Sequence, residues 1–217
     1  MSMLILAVDT ALNACSVAIL RSGEVLLSRV EPMAKGQAER LAPMAREVLA
    51  EAGITPAALD RIAVTRGPGA FTGLRIGLAF ARGLSVALDR PCVGISTLEV
   101  LAHAANAQRT LAAIEVAGSL FVGAWEGRAC VLEPSRLNAE DALGKLNGDW
   151  TLTGPGAQSL ARLRPDWPVV SQDLPDPVVL AHLAQHLDPA LNPPTPLYLR
   201  GHEAKLPGGL SLEAERP

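Results

Sequence analysis

The chain has 217 residues, 49% of them hydrophobic and 19% charged, enough apolar surface for one ordinary domain or two small lobes, which excludes general disorder. A formal net charge of −3 excludes the basic footprint of a protein that grips nucleic acid unaided. Three widely spaced cysteines, Cys15, Cys92 and Cys130, form no C-x-x-C pattern and read as small apolar residues of a reducing compartment.

The apolar run at 4–8 predicts a strand covered on both faces. It ends at Asp9 and has no basic residues before it, too short for a signal peptide or a membrane span, so a cytoplasmic protein is expected. Residues 15–20 and 24–30 flank Ser22-Gly23, a two-residue turn, and predict a hairpin. Over 38–52, Leu41, Ala45, Val48, Leu49 and Ala52 recur at helical spacing with Glu39, Arg46, Glu47 and Glu51 outward, and Pro43 predicts a kink or a late start. Strands are expected at 61–65 and 91–95, on either side of a helix at 71–88. Ser96-Thr97-Leu98-Glu99 is a capping-box pattern leading into a helix at 100–107. A three-strand opening followed by alternating helix and strand indicates a mixed sheet with helices on its faces.

A polar break at 106–109 marks the lobe boundary. Beyond it, strands are expected at 111–116, 120–125 and 129–132, and helices at 138–146 and 178–187. Gly154-Pro155-Gly156 and the proline-rich 189–196 predict loops. The organisation is therefore an N-terminal lobe over 1–107, a C-terminal lobe over 108–206 and a flexible tail over 207–217.

The helix at 71–88 carries Leu74, Ile76, Leu78, Phe80, Leu84, Val86 and Leu88 all around its circumference, with Arg75 and Arg82 as its only charges. It cannot have one wet face and one dry one, so it needs cover on two sides: its own sheet and another protein. Arg75 and Arg82, seven apart, share a face with Leu78, Ala79 and Val86 and pair across an interface or snorkel to solvent. Gly73 and Gly77 are expected to leave a groove into which a second helix sinks.

Candidate chemistry is sparse. Asp9, at the end of a buried strand and before Thr10, either faces a nucleotide phosphate with its magnesium or caps a turn. The stretch Gly67-Pro68-Gly69-Ala70-Phe71-Thr72-Gly73 lacks the lysine of G-x-x-x-x-G-K-[ST] and has Thr72 where G-x-G-x-x-G needs glycine. What remains is a tight strand-to-helix turn whose amides either bind an anion or are capped by Thr72. His182 and His186 are four apart, but Leu183 stands where a glutamate would follow and no third ligand is near. His103 and His202 are isolated, and no catalytic set emerges.

The segments ILAVDTALNACSVAIL from Ile5, GQAERLAPM from Gly36, VTRGPGAFTGLRIGLAFARGLSVAL from Val64 and VGISTLEVLA from Val93 resemble the TsaB (YeaZ) family, continuously through roughly residues 4 to 105, with PLYLR from Pro196 the later match. The resemblance implies an α/β, two-lobed fold of the actin and sugar-kinase type with mixed sheets and a reduced second lobe. It implies a non-catalytic partner, without cofactor or metal, of the paralogue TsaD, which transfers threonylcarbamoyl to the adenosine beside the anticodon. The ATPase TsaE joins the assembly, tRNA is reached only through it, and no membrane is involved.

In that family the first two helices pack on the matching pair of TsaD, or of a second TsaB, as a four-helix bundle. Leu41, Met44, Ala45, Val48, Leu74, Arg75, Leu78 and Arg82 are the expected interface here. Asp9, Thr10, Gly67, Gly69, Thr72 and Gly73 would form a vestigial nucleotide or anion site. Two stretches depart from the family pattern: Gly36-Gln37-Ala38, where many relatives carry His, and Ile114-Glu115-Val116-Ala117, where Asp-Ala-Arg is usual. The alternative reading is an ATP-dependent small-molecule kinase of the same fold; a metallopeptidase lacks paired ligands.

Overall fold

β1 (Leu4–Asp9) has no exposed residue, because both of its faces are roofed. Leu4, Leu6 and Val8 point into one core and Ile5 and Ala7 into another, which is why the run is apolar at both parities. The computed structural model describes residues 3–199. β1 pairs antiparallel with β2 (Ala14–Arg21), and β2 with β3 (Glu24–Pro32), through a turn whose Ser22 and Gly23 both take positive φ, as a type I′ hairpin requires. On its other side β1 pairs parallel with β4 (Arg61–Thr65), and β4 with β5 (Cys92–Ile95), giving the order β3-β2-β1-β4-β5.

α1 (Gln37–Glu51) and α2 (Phe71–Leu88) cover one face of this sheet. α1 starts at Gln37 and runs through Pro43, so the expected late start is not observed. Proline deletes one backbone donor, but Leu41, Met44, Ala45, Val48 and Leu49 are all buried on the sheet and hold the helix in place. Its flank is tied to β3: Arg29 pairs with Glu47 and Glu51, and Arg40 bridges Glu31 and Glu47. Hydrogen bonds from Arg40 hold the Glu31 and Glu47 carboxyls below the usual carboxylate range.

α3 (Thr97–Ala104) begins and ends three residues before the expected 100–107, and its capping box is not made. The Ser96 hydroxyl donates instead to the Gly67 carbonyl, 3.3 Å away.

The second sheet contains β6 (Arg109–Val116), β7 (Ser119–Glu126), β8 (Ala129–Arg136), β9 (Thr151–Thr153) and β10 (Val169–Val170) in the order β10-β9-β6-β7-β8. Counted within each sheet, the order is the same: a three-strand antiparallel meander followed by two parallel strands on the far side of the first. This repeated topology in two lobes is the actin and sugar-kinase architecture. α4 (Ala139–Gly144) and α5 (Ala157–Ala161) cover the second sheet around Trp150 and Trp167. β9, α5 and β10 have no counterpart among the sequence-derived elements; at two to five residues they are too short to show a period.

α6 (Pro177–Ala184) falls in the sequence span given to the second lobe yet packs on the first. Leu180, Ala181 and Ala184 close the sheet face that Ile5, Ala7, Leu20 and Ala63 present. The Arg61 guanidinium donates to the Ala184 and Leu187 carbonyls and so caps the end of α6 from the first residue of β4. The following segment is pinned along β5 and the end of β4, with Gly94 donating to Asn192 (3.0 Å) and Leu197 donating to Arg66 (2.8 Å). A split at 107/108 therefore separates the sheets but not α6. The tail at 207–217, His202 and the last residue of PLYLR lie outside the described residues.

Where the β1–β2 turn meets the start of α2, the two backbones approach too closely for side chains to come between them. A methyl group at Gly69 or Gly73 would overlap the Ala11 or Thr10 carbonyl, and at Gly77 it would come within 2.7 Å of Thr10 Oγ1. The approach is closed by bonds from Ala70 N–H to the Ala11 carbonyl (2.8 Å) and from the Thr10 hydroxyl to the Gly73 carbonyl (2.7 Å). Gly73→Ala is expected to cost about 2 kcal/mol or more, because the obstacle is backbone and cannot turn aside. Gly83→Ala, where a Cβ meets nothing within 4 Å, should gain about 1 kcal/mol of helix propensity. Denaturant unfolding of the two variants checks the pair.

Candidate partner-binding face

α2 divides its residues between an inner and an outer face. Gly73, Gly77, Leu78 and Ala81 are buried against the sheet, and Ile76, Phe80, Leu84 and Leu88 wedge at the margin of the same core. Phe71 (58% exposed), Arg75, Ala79, Arg82, Gly83 and Val86 (83% exposed) face outward. α1 repeats the pattern, with Ala38, Ala42, Arg46 and Ala50 exposed at four-residue intervals. Between the helices runs an apolar groove of about 360 Å³, lined by Ala42, Arg46 and Ala50 from α1 and Phe80 and Leu84 from α2. α2 has the length and composition of a membrane-crossing helix, but its inner turns belong to the sheet's core.

Five of the eight residues expected at an interface are buried in this structure. Leu41, Met44, Ala45, Val48 and Leu78 are each 3% exposed or less and fill the core beneath the helices. The large apolar side chains form the stripe that periodicity detects, and that stripe turns to the sheet. Leu74 is half-buried, while Arg75 and Arg82 are exposed. The groove expected at Gly73 and Gly77 is already filled by the backbone and hydroxyl of Thr10. Ala79 and Val86 do face outward beside Arg75 and Arg82, as their spacing predicts; the outward positions that the sequence reading did not single out are Phe71 and Gly83 and the small stripe Ala38, Ala42 and Ala50. The alanine spacing opposite Leu41 and Val48 was the signal available for the second group.

Five of the six residues of the expected anion site, Asp9, Thr10, Gly67, Gly69 and Gly73, serve hydrogen bonds or close approaches within the chain. Asp9 is fully buried; its Oδ1 accepts from the Thr65 hydroxyl and from Ala11 N–H (3.1 Å), while Oδ2 has no partner. Gly67 O accepts from Thr97 N–H (2.9 Å). Thr72 is exposed and does not cap α2, whose N-cap position is Ala70. The cleft between the lobes, about 800 Å³, is lined by none of the six, and its charged lining groups are Glu115 and Asp173, which repel rather than hold phosphates. Among the described residues no group of three or more His, Cys, Asp or Glu could hold a metal ion, and His182 makes a 3.4 Å contact with Gln185 instead.

The sequence model of the family TsaD, tRNA N6-adenosine threonylcarbamoyltransferase, matches residues 30–122, which include α1 and α2. The chain is 33% identical to tRNA threonylcarbamoyladenosine biosynthesis protein TsaB of Escherichia coli strain K12, across 95% of this chain and 99% of the relative. The chain belongs to the TsaB family. A second TsaB, from Buchnera aphidicola subsp. Schizaphis graminum, is 34% identical over 75% of this chain and 83% of its own. Among solved structures, two of YeaZ or a YeaZ-like protein from Pseudomonas aeruginosa superpose with TM-scores of 0.81 and 0.78, each at 32% identity over 91% of this chain and all of the other.

Burial pushes the Asp9 carboxyl up to about 6, against the pull of its bonds to Thr65 and Ala11. A raised folded-state value means that the folded chain holds the proton more tightly than the unfolded one. The ionised group therefore imposes no penalty below about pH 4, and the penalty grows as pH rises to about 6 and is complete above it. Asp9→Asn should match the parent's stability near pH 4 and exceed it by up to about 3 kcal/mol near pH 8. Urea unfolding across that range decides it; equal stability at both ends would remove the buried charge as the cause.

Proposed function

We propose that this TsaB-family chain serves tRNA threonylcarbamoyladenosine biosynthesis as a non-catalytic subunit that binds a TsaD-type catalytic paralogue through the outer face of α1 and α2. The observation that carries this reading is the state of α2: an 18-residue apolar helix with four buried residues, whose outer face has no cover among the described residues. Small residues at Ala38, Ala42, Ala50, Ala79 and Gly83 allow helix backbones to approach closely, and Phe71 and Val86 supply exposed apolar area. The match of a TsaD family model to residues 30–122 supports a paralogue carrying the same helix pair, so that two like pairs can meet as a four-helix bundle. A TsaE-type ATPase completes the assembly in the cytoplasm, and tRNA is engaged through the complex, in keeping with a chain of net charge −3.

The competing small-molecule kinase reading finds little support. The interlobe cleft offers carboxylates where phosphates would need cations, and Asp9 is sealed beneath the sheet's end.

Ala79→Trp tests the face without altering charge. The variant should keep the parent's unfolding free energy within about 0.5 kcal/mol, as a surface substitution does. It should lose association with the TsaD-type subunit by tenfold or more, and the modification assay reconstituted from TsaB-, TsaD- and TsaE-type subunits should fall with it. Undiminished association in calorimetry would falsify the assigned face.

A further inference from the structure

Glu115 and Asp173, the charged groups that line the cleft between the lobes, have no lysine or arginine beside them in its walls. Both are exposed. Glu115 accepts a hydrogen bond from the Ser159 hydroxyl (2.9 Å), and neither carboxylate forms an ion pair among the described residues. Two like charges lining one cavity repel each other, and cations placed there turn that cost into attraction. The chain itself arrives at this cleft. Past β5 the Leu197 N–H is held by the Arg66 carbonyl (2.8 Å), Tyr198 is 67% exposed, and Leu199 is half-buried. Leu199, Val116 and Leu174 pack on one apolar cluster that contains Leu12, and Leu12, Val116 and Leu174 also line the cleft. The described residues thus end beside it. The next residues in the sequence bring cations, Arg200 and Lys205 with Glu203 between them, while the carboxylates of Glu213 and Glu215 come only after Pro207-Gly208-Gly209.

We propose that the segment 200–205 of this chain occupies the interlobe cleft, with Arg200 and Lys205 paired to Glu115 and Asp173. At about 3.3 Å per extended residue the segment reaches about 20 Å from Leu199, enough to enter a cavity whose rim Leu199 already adjoins. Exposed charge pairs are individually weak. A segment tethered at the rim is nevertheless present at an effective concentration near millimolar, so weak pairs suffice to seat it. The aliphatic stems of arginine and lysine can lie on the apolar walls that Val169, Val170 and Leu174 supply while their charged ends meet the carboxylates. The chain thereby fills its own cleft, and a small cationic molecule would have to displace it.

Paramagnetic NMR of the full chain tests this. Cys15 and Cys92 are buried, so with Cys130→Ser removing the exposed thiol a nitroxide on Ala204→Cys labels the segment alone. At about 50 mM salt the label should broaden the amides of Gln158, Val170 and Ser171 at least fivefold more than those of Ala42 and Ala79 on the outer helix face, and about 0.5 M salt should narrow the gap. Arg200→Glu/Lys205→Glu should abolish the difference, and adding Glu115→Lys/Asp173→Lys to that variant should restore it. The proposal is overturned if the label broadens the outer helix face, or no set of amides in preference. It is also overturned if broadening in the cleft ignores both salt and charge reversal. Mixing labelled chain with isotope-enriched, unlabelled chain should leave the cleft amides sharp; broadening there gives the cleft to the segment of a second copy and overturns the proposal as well.

Discussion

The rest of the molecule depends on a backbone-to-backbone contact, the β1–β2 turn lying directly on the first half of α2. Glycine at 69 and 73 removes the Cβ atoms that would hold the two apart, and the Ala70-to-Ala11 and Thr10-to-Gly73 bonds then fix the distance. A helix held this closely cannot roll. Its inner turns, Gly77, Leu78 and Ala81, are therefore committed to the sheet, and Phe71, Arg75, Ala79, Arg82 and Val86 are committed to the outside. The same contact lays Thr10 and Ala11 directly against the glycine-rich turn that looks like a phosphate loop.

Two lobes with one topology meet unequally. The first sheet is covered on both faces, by α1 and α2 on one and by α6 returning from the far end of the chain on the other. Arg61 fastens that return, and the segment through Asn192 and Leu197 seals the edge at β5. The first lobe is thus built from segments far apart in the sequence. The second sheet carries two strands of three and two residues, and its helices α4 and α5 have six and five residues. The cleft between the lobes has Glu115 and Asp173 as its charged lining.

Legibility from the sequence followed length and regularity. β4 and α2 were readable to the residue, because Arg61–Thr65 is bounded by charge and glycine, and Phe71–Leu88 is long and apolar. The hairpin was readable from Ser22-Gly23, a local conformational demand. β9, α5 and β10 were not, since a pair of valines or five residues of helix carries no periodicity of its own and is stabilised by Trp150, Trp167 and neighbours distant in sequence. The destination of α6 was hidden for the same reason: its apolar residues state that it is buried and not on which lobe. The outward face of the helix pair was half legible. Arg75, Ala79, Arg82 and Val86 could be placed together from their spacing, but most of the large apolar residues expected beside them are buried, because a stripe of leucine and valine marks what a helix buries first, and its own sheet claims that stripe.

That order of claims carries the functional reading. If Leu41, Val48 and Leu78 had been left outside, the free chain would expose a large greasy patch and depend on its partner to fold. With those residues inside and alanine, glycine and arginine outside, the subunit can fold alone and still offer a surface on which helices approach closely. Small side chains contribute shape but little discrimination, because any smooth helix fits them. A helix pair that docked on such a face would meet few large groups, chiefly Phe71, Arg75, Arg82 and Val86, so its fit would be set by shape over most of the contact and by those four side chains where shape gives no choice.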